Sequence, residues 1–218
     1  MDRDEFKERL ANLADQRQNN LVYVERVISE FPQGHVLHGM ANAMAIAMAY
    51  AQFEGFVKDS LQQYIEFVEV QEIPRAKAIP CLVAHSWGPA FKSLRADSSL
   101  TSRIKFARDR SAEMEEPLTF RRSEKEIDTR SNLKFNVLVE LATMLGLDRS
   151  SLSPYKNKLN ALVAKRNSVA HGSRSETVTE LEVREALECV LGLFRVIETC
   201  LHAAVDDYAY LRRSEVSA

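Results

Sequence analysis

Apolar positions along this chain recur every three or four residues, the period of an α-helix with one buried face. Phe6, Leu10, Leu13, Leu21, Val24 and Ile28 predict a helix over about Arg3 to Phe31, closed by Pro32 and Gly34. A second runs from about His38 to Val70, opening with small residues and methionines and closing with Phe53, Phe56, Val57, Leu61, Tyr64, Ile65 and Val68. Its most apolar part, Met40 to Phe53, is interrupted by Asn42 and Gln52 and stops at Glu54, which suits the centre of a core and is too short for a bilayer span. Pro74 fits the first turn of a third helix through Ala84 and Trp87, which Pro80 and Gly88-Pro89 kink or break.

Residues 96–130 are the least regular and are expected to form an insertion or exposed loop. Asp97-Ser98-Ser99 can cap a short helix there through Ile104 and Phe106, followed by a charged stretch through Arg121, Arg122, Glu124 and Asp128. Thr129 or Ser131 is expected to cap the next helix, which carries Leu133, Val137, Leu141 and Leu145 and ends at Gly146. Ser153-Pro154 predicts the N-cap and first position of a helix bearing Tyr155, Leu159, Leu162 and Val163 and ending at Gly172. Thr179-Glu180-Leu181-Glu182 has capping-box spacing and opens a last helix through Val190, Leu193, Ile197, Leu201 and Val205 towards Tyr210. Short connections favour antiparallel neighbours, so the expected fold is an all-α up-and-down bundle forming one domain over 1–218, with an additional long N-terminal helix within 1–35.

Composition supports this picture. Glycine and proline are scarce, at seven and six, which disfavours an all-β fold with many tight turns. A hydrophobic content of 45% with 28% charged residues places the chain among globular proteins rather than disordered ones. The three cysteines, Cys81, Cys189 and Cys200, are odd in number and set among apolar neighbours, so buried thiols in a reducing compartment are expected. The charged N-terminus, Met1-Asp2-Arg3-Asp4-Glu5, does not have the form of a secretory signal; a cytoplasmic location without membrane attachment is the expectation.

A net charge of −2 argues against blanket affinity for nucleic acid, yet the charge is uneven: Arg149 to Ser175 holds six Lys or Arg and no Asp or Glu. Within that basic stretch lies Lys165-Arg166-Asn167-Ser168-Val169-Ala170-His171-Gly172. Arg166 stands where the stripe of Leu159, Leu162 and Val163 calls for another apolar side chain. Asn167 and His171 are four apart and share a helix face, with Arg166 at its edge. Gly172 is the expected left-handed residue past the helix end, which puts His171 in the last turn, where the dipole favours imidazolium. A phosphate suits such a cluster. Lys165, Lys158 and Arg174 are candidates for holding further phosphates.

Arg166-Asn167-Ser168-Val169-Ala170-His171-Gly172 resembles the signature of HEPN domains, helical bundles whose ribonuclease members carry arginine, a polar residue, a few intervening positions and histidine. Tyr50 to Lys58 resembles the central helix of a bacterial stand-alone subgroup of HEPN nucleases, and so do Ser131-Asn132-Leu133-Lys134 and Leu145-Gly146-Leu147. The resemblance spans about residues 40 to 205. It implies RNA cleavage without a metal or other cofactor at a site shared by two subunits, with roles in phage defence or toxin systems and an antitoxin or defence-system partner. Some HEPN domains are noncatalytic, so a module that binds RNA, a nucleotide or a protein partner is the alternative reading.

Such chemistry is consistent with the residues. Cleaving RNA without a metal needs a base for the 2′-hydroxyl proton, an acid for the departing 5′-oxygen and a fixed cation for charge building on phosphorus. Histidine serves as base or acid, which suits His171, and the planar fork of Arg166 can hold two phosphate oxygens. Asn167 is the expected orienting group. One histidine per site cannot readily do both proton transfers, but a two-fold homodimer brings two copies into one cleft. Glu54 and Lys58, four apart on the central helix, are either an intrahelical ion pair or a support in which Glu54 orients Arg166. His35 and His38 read as capping or surface groups, and His85 and His202 as structural; no metal-ligand spacing is evident.

Overall fold

The computed structural model describes residues 1–171 and 178–213, and among these it is all-α, with no strand beyond the isolated bridges Pro74–Pro117 and Ala78–Leu211. Helix α1 spans Arg3–Ser29 and starts where the Asp2 carboxylate accepts from the Glu5 amide at 2.8 Å. It buries Phe6, Leu10 and Leu21 against α2, His38–Glu69. The two are antiparallel: Phe6 meets Tyr64 and Phe67, while Arg17 reaches Gln52. Arg17 lies flat on Gly55, where a Cβ would come within 2.9 Å of its guanidinium, and its Nη2 bonds Asp59 at 2.5 Å. Glycine at 55 thus allows the close approach.

The segment after Pro74 is broken at the expected prolines into two helices, α3, Pro80–Ser86, and α4, Gly88–Ala96. Pro74 instead leads into a 3-10 turn at Arg75–Lys77, and Pro80 takes the first helical position. Residues 96–130 prove more ordered than expected. Ser99 caps the thirteen-residue helix α5, Leu100–Ala112, by accepting from Ser102, and a short α6 covers Arg122–Lys125. Leu118, Phe120, Ile127 and Thr129 are buried, so this stretch is not an exposed loop throughout; Glu69 of α2 ties it down by accepting from the Phe120 amide at 2.9 Å.

Helix α7, Phe135–Met144, is capped neither by Thr129 nor by Ser131. Asn160 supplies the acceptor to its first amide at 3.2 Å. It ends as expected around Gly146, whose φ of +71° lets Leu147 donate back to Ala142. Ser153-Pro154 does not start the next helix either. Asp148 accepts from the Ser150 amide and hydroxyl, opening a 3-10 turn over Ser150–Tyr155 that contains Pro154, and α8 follows as Lys156–Ala170. Gly172 lies outside the described residues. The Thr179 capping box is present, each partner bonding the other's amide, and opens α9, Glu180–Asp206.

Helix α2 is the central element, packed against α1, α8 and α9. Aromatic contacts tie the layers, with Phe56 and Phe194 at 4.5 Å and Phe67 edge-on to Tyr210 at 5.8 Å. Each such ring contributes roughly 1.5–3 kcal/mol by burial. One connected cluster of buried side chains runs through these elements, and Cys189 is buried within it as a free thiol whose pKa burial pushes up to about 11.

Candidate functional site

Arg166 interrupts the buried row of α8 set by Leu159, Leu162 and Val163, and its head points into the bundle. The guanidinium carbon stands 4.4 Å from the centre of the Tyr50 ring. A cation over a phenol face gains on the order of 0.5–2 kcal/mol, more as water is excluded. Nη1 donates to the Asn167 side-chain oxygen at 2.9 Å and to that of Asn132 at 3.3 Å. No carboxylate forms an ion pair with Arg166 among the described residues. Its half-buried charge is therefore held by a π face and two amide dipoles, none of which cancels it.

The platform is itself fixed. The Tyr50 oxygen accepts the Leu133 amide at 2.7 Å. Its pKa is raised, chiefly by burial and further by the Glu54 carboxylate, against the opposing pull of the Leu133 amide and the Arg166 charge, so the phenol is neutral at pH 7. Segment 128–134 reaches this point through two successive left-handed residues, Arg130 at φ 53° and Ser131 at φ 59°. Neither is glycine, and such conformations persist where surroundings over-determine them. Asp128 bonds the Arg130 amide at 2.8 Å, Arg130 pairs with Glu140 at 2.5 Å, and the Thr129 hydroxyl donates to Glu54. The outcome is that Asn132 faces Arg166.

His171 follows α8 directly and is exposed, its amide bonded to the Asn167 carbonyl at 3.0 Å. It shares the helix face of Asn167, one turn on. Along the same face runs an open groove of about 460 Å³ lined by Lys134, Phe135, Asn136, Lys156, Asn160, Ala164 and Asn167, with two ammonium groups and no carboxylate. The groove runs along α8 from Lys156 and reaches Asn167, which bonds Arg166 and stands one turn before His171.

Other expected participants sit elsewhere. Lys158 and Lys165 project from the opposite edge of α8, towards Glu182, Glu185 and Glu188 of α9. Lys165 pairs with Glu182 at 2.8 Å and is the main cause holding that carboxyl below its ordinary pKa. Arg174 lies outside the described residues. Glu54 pairs with Lys58 at 3.4 Å and accepts from Thr129; it makes no hydrogen bond or ion pair to Arg166. Tyr50, Thr129 and Asn132 complete the site, and periodicity does not single them out: Tyr50 reads as an ordinary core aromatic. The usable signal is the arginine on an apolar row, which demands a partner across the core.

Among the described residues no group of three His, Cys, Asp or Glu side chains is placed to hold a metal ion. What the cluster can do is hold an anion at a fixed cation beside an accessible imidazole. Residues 4–203 match the family described as RiboL-PSP-HEPN. The chain belongs to this HEPN family. No curated protein and no solved structure matches it. In this HEPN bundle the Arg166 to His171 segment closes α8 on the side of the molecule where α2 and the 128–134 segment meet. None of its described helices is long and apolar enough to cross a membrane.

Proposed function

We propose that this HEPN protein is an endoribonuclease that cleaves RNA without a metal ion, by attack of the 2′-hydroxyl on the adjacent phosphorus. The observation that carries this reading is Arg166, anchored by Tyr50, Asn132 and Asn167, unneutralised by any described carboxylate, beside an exposed His171. The 2′-oxygen to phosphorus bond forms as the phosphorus to 5′-oxygen bond breaks. One imidazole removes the 2′ proton and a second gives a proton to the 5′-oxygen, leaving a 2′,3′-cyclic phosphate and a 5′-hydroxyl. Arg166 compensates the charge that builds on the phosphoryl oxygens, and Lys134 and Lys156 hold neighbouring phosphates in the groove.

The second imidazole is His171 of a second copy. Helix α2, which carries Tyr50, also presents Met40, Met44 and Met48, exposed by 60%, 56% and 42% and spaced by one turn along one face. A face of that kind on the helix that builds the site fits a two-fold partner.

Purified protein incubated with single-stranded RNA in EDTA is expected to generate cyclic-phosphate ends, and His171→Ala to slow cleavage by roughly 10²- to 10⁴-fold while keeping its helical circular dichroism. Undiminished cleavage by the variant would remove His171 from the mechanism. RNA binding with no turnover by the intact protein selects the noncatalytic reading instead. The role in phage defence or a toxin system, with its antitoxin or defence partner, belongs to the same proposal; loss of protection or toxicity with His171→Ala in cells is its test.

A further inference from the structure

Helices α4 and α5 form a hairpin in which no residue is buried, so the segment adds nothing to the common core. It is nonetheless held firmly at its base. The Trp87 indole donates to Glu113 at 3.1 Å, Arg110 lies over the Trp87 ring at 5.6 Å and pairs with Glu113 at 2.6 Å, and Phe106 packs against both Trp87 and Phe91. Between Gly88 and Ala112 there are six cations, Lys92, Arg95, Arg103, Lys105, Arg108 and Arg110, against two carboxylates, in a chain whose net charge is −2. Both carboxylates are engaged within the hairpin, Asp97 by Ser99 and Ser102, Asp109 by Arg108. Lys92, Arg95 and Lys105 have no ion-pair partner among the described residues, and all three are exposed. Interleaved with them, Phe91, Leu100 and Ile104 stand 43%, 72% and 60% exposed.

We infer that the α4–α5 hairpin is an RNA-binding arm that grips single-stranded RNA away from the groove beside His171. The choice of RNA as ligand rests on the endoribonuclease reading; the charge and shape of the arm stand without it. Cations interspersed with exposed apolar and aromatic side chains on a hairpin tied at its base suit a phosphate chain with unstacked bases, since phosphates take the charges and bases pack on the apolar faces. A protein partner fits less well, because the surplus of positive charge is spread over both helices instead of ringing one apolar patch. The arm lets the enzyme hold a long strand whose scissile linkage lies elsewhere.

The test measures binding of a fluorescein-labelled 20-nucleotide 2′-O-methyl RNA by anisotropy across a salt series, using the full chain. A Lys92→Gln/Arg95→Gln/Arg103→Gln/Lys105→Gln variant is expected to bind at least about tenfold more weakly at low salt, with the slope of log affinity against log salt shallower by roughly 2–3, as the loss of four single-strand phosphate contacts requires. An Arg95→Lys/Arg103→Lys variant keeps the charge and is expected to keep the slope, which separates charge loss from misfolding. With a ribodinucleotide too short to span arm and groove, the glutamine variant is expected to cleave at the parental rate while losing efficiency on long RNA. Unchanged affinity and slope overturn the arm whether or not the protein cleaves RNA, as does a parental chain that fails to bind. Arm-dependent binding without cleavage by the parent leaves the arm standing and overturns the endoribonuclease reading.

Discussion

Arg166 is held by groups that carry no formal negative charge, and this distinguishes it from the structural arginines of the same molecule. Arg17 is bonded to Asp59, and Arg75 is spent on the Pro117 carbonyl and Glu116, so their charges are already compensated. At Arg166 the planar fork matters as much as the charge, because it stacks on Tyr50 while bonding two amides. Arg166→Lys is therefore expected to retain the fold yet lose roughly 10²-fold in cleavage rate, measured under single turnover. Tyr50 has two separable duties. Tyr50→Phe keeps the ring beneath the guanidinium but strands the Leu133 amide, which is expected to lower stability to urea by about 1–3 kcal/mol with cleavage changed far less than in Tyr50→Leu.

At the scale of elements, helix ends carry much of the specification. Gly146 combines a φ of +71° with a Cβ position 2.1 Å from the Ile79 side chain, so Gly146→Ala meets both backbone strain and overpacking. A loss of roughly 2–4 kcal/mol in urea unfolding is expected. Glu182 serves the α9 capping box and Lys165 together. Its carboxyl is depressed in the folded chain, chiefly by Lys165, so the stabilisation it provides is present above the unfolded carboxylate range and fades as pH falls through the folded value. Glu182→Ala is expected to cost about 1 kcal/mol at pH 7, and the difference from the parent should shrink in acid denaturation curves below pH 4. The long helices α1, α2 and α9 are legible in sequence because each carries an apolar stripe several turns long. Ser153-Pro154 misleads because Asp148 captures Ser150 first and winds the chain as a 3-10 turn. Of the site, Arg166, Asn167 and His171 are visible by breaking a pattern. Asn132 is not, since its place depends on the left-handed pair Arg130 and Ser131, and two non-glycine residues carry no local sign of that conformation. Lys158 and Lys165 are near the cluster in sequence, while helix geometry turns them towards α9.

For the whole molecule, the proposed chemistry makes activity a property of pairs. Mixing parental subunits with a ninefold excess of His171→Ala subunits and allowing exchange is expected to lower activity per parental chain about tenfold, because nearly every parental copy then faces a partner lacking its imidazole. Activity that simply tracks the parental concentration would show that one subunit suffices. Met44→Glu places a carboxylate on the exposed α2 face, where at a two-fold axis it meets its own copy; sedimentation is expected to show monomers, with cleavage lost in parallel.

The lock at the base of the α4–α5 hairpin has one more effect. Because Trp87 and Glu113 already touch across its stem and nothing beyond them supports the interior, a short linker can replace the residues between without unseating the remaining helices. The segment is thus an exchangeable attachment: its length and lettering can be rewritten, which under the proposed RNA-binding role changes the strands it holds and leaves the Arg166 to His171 cluster as it is.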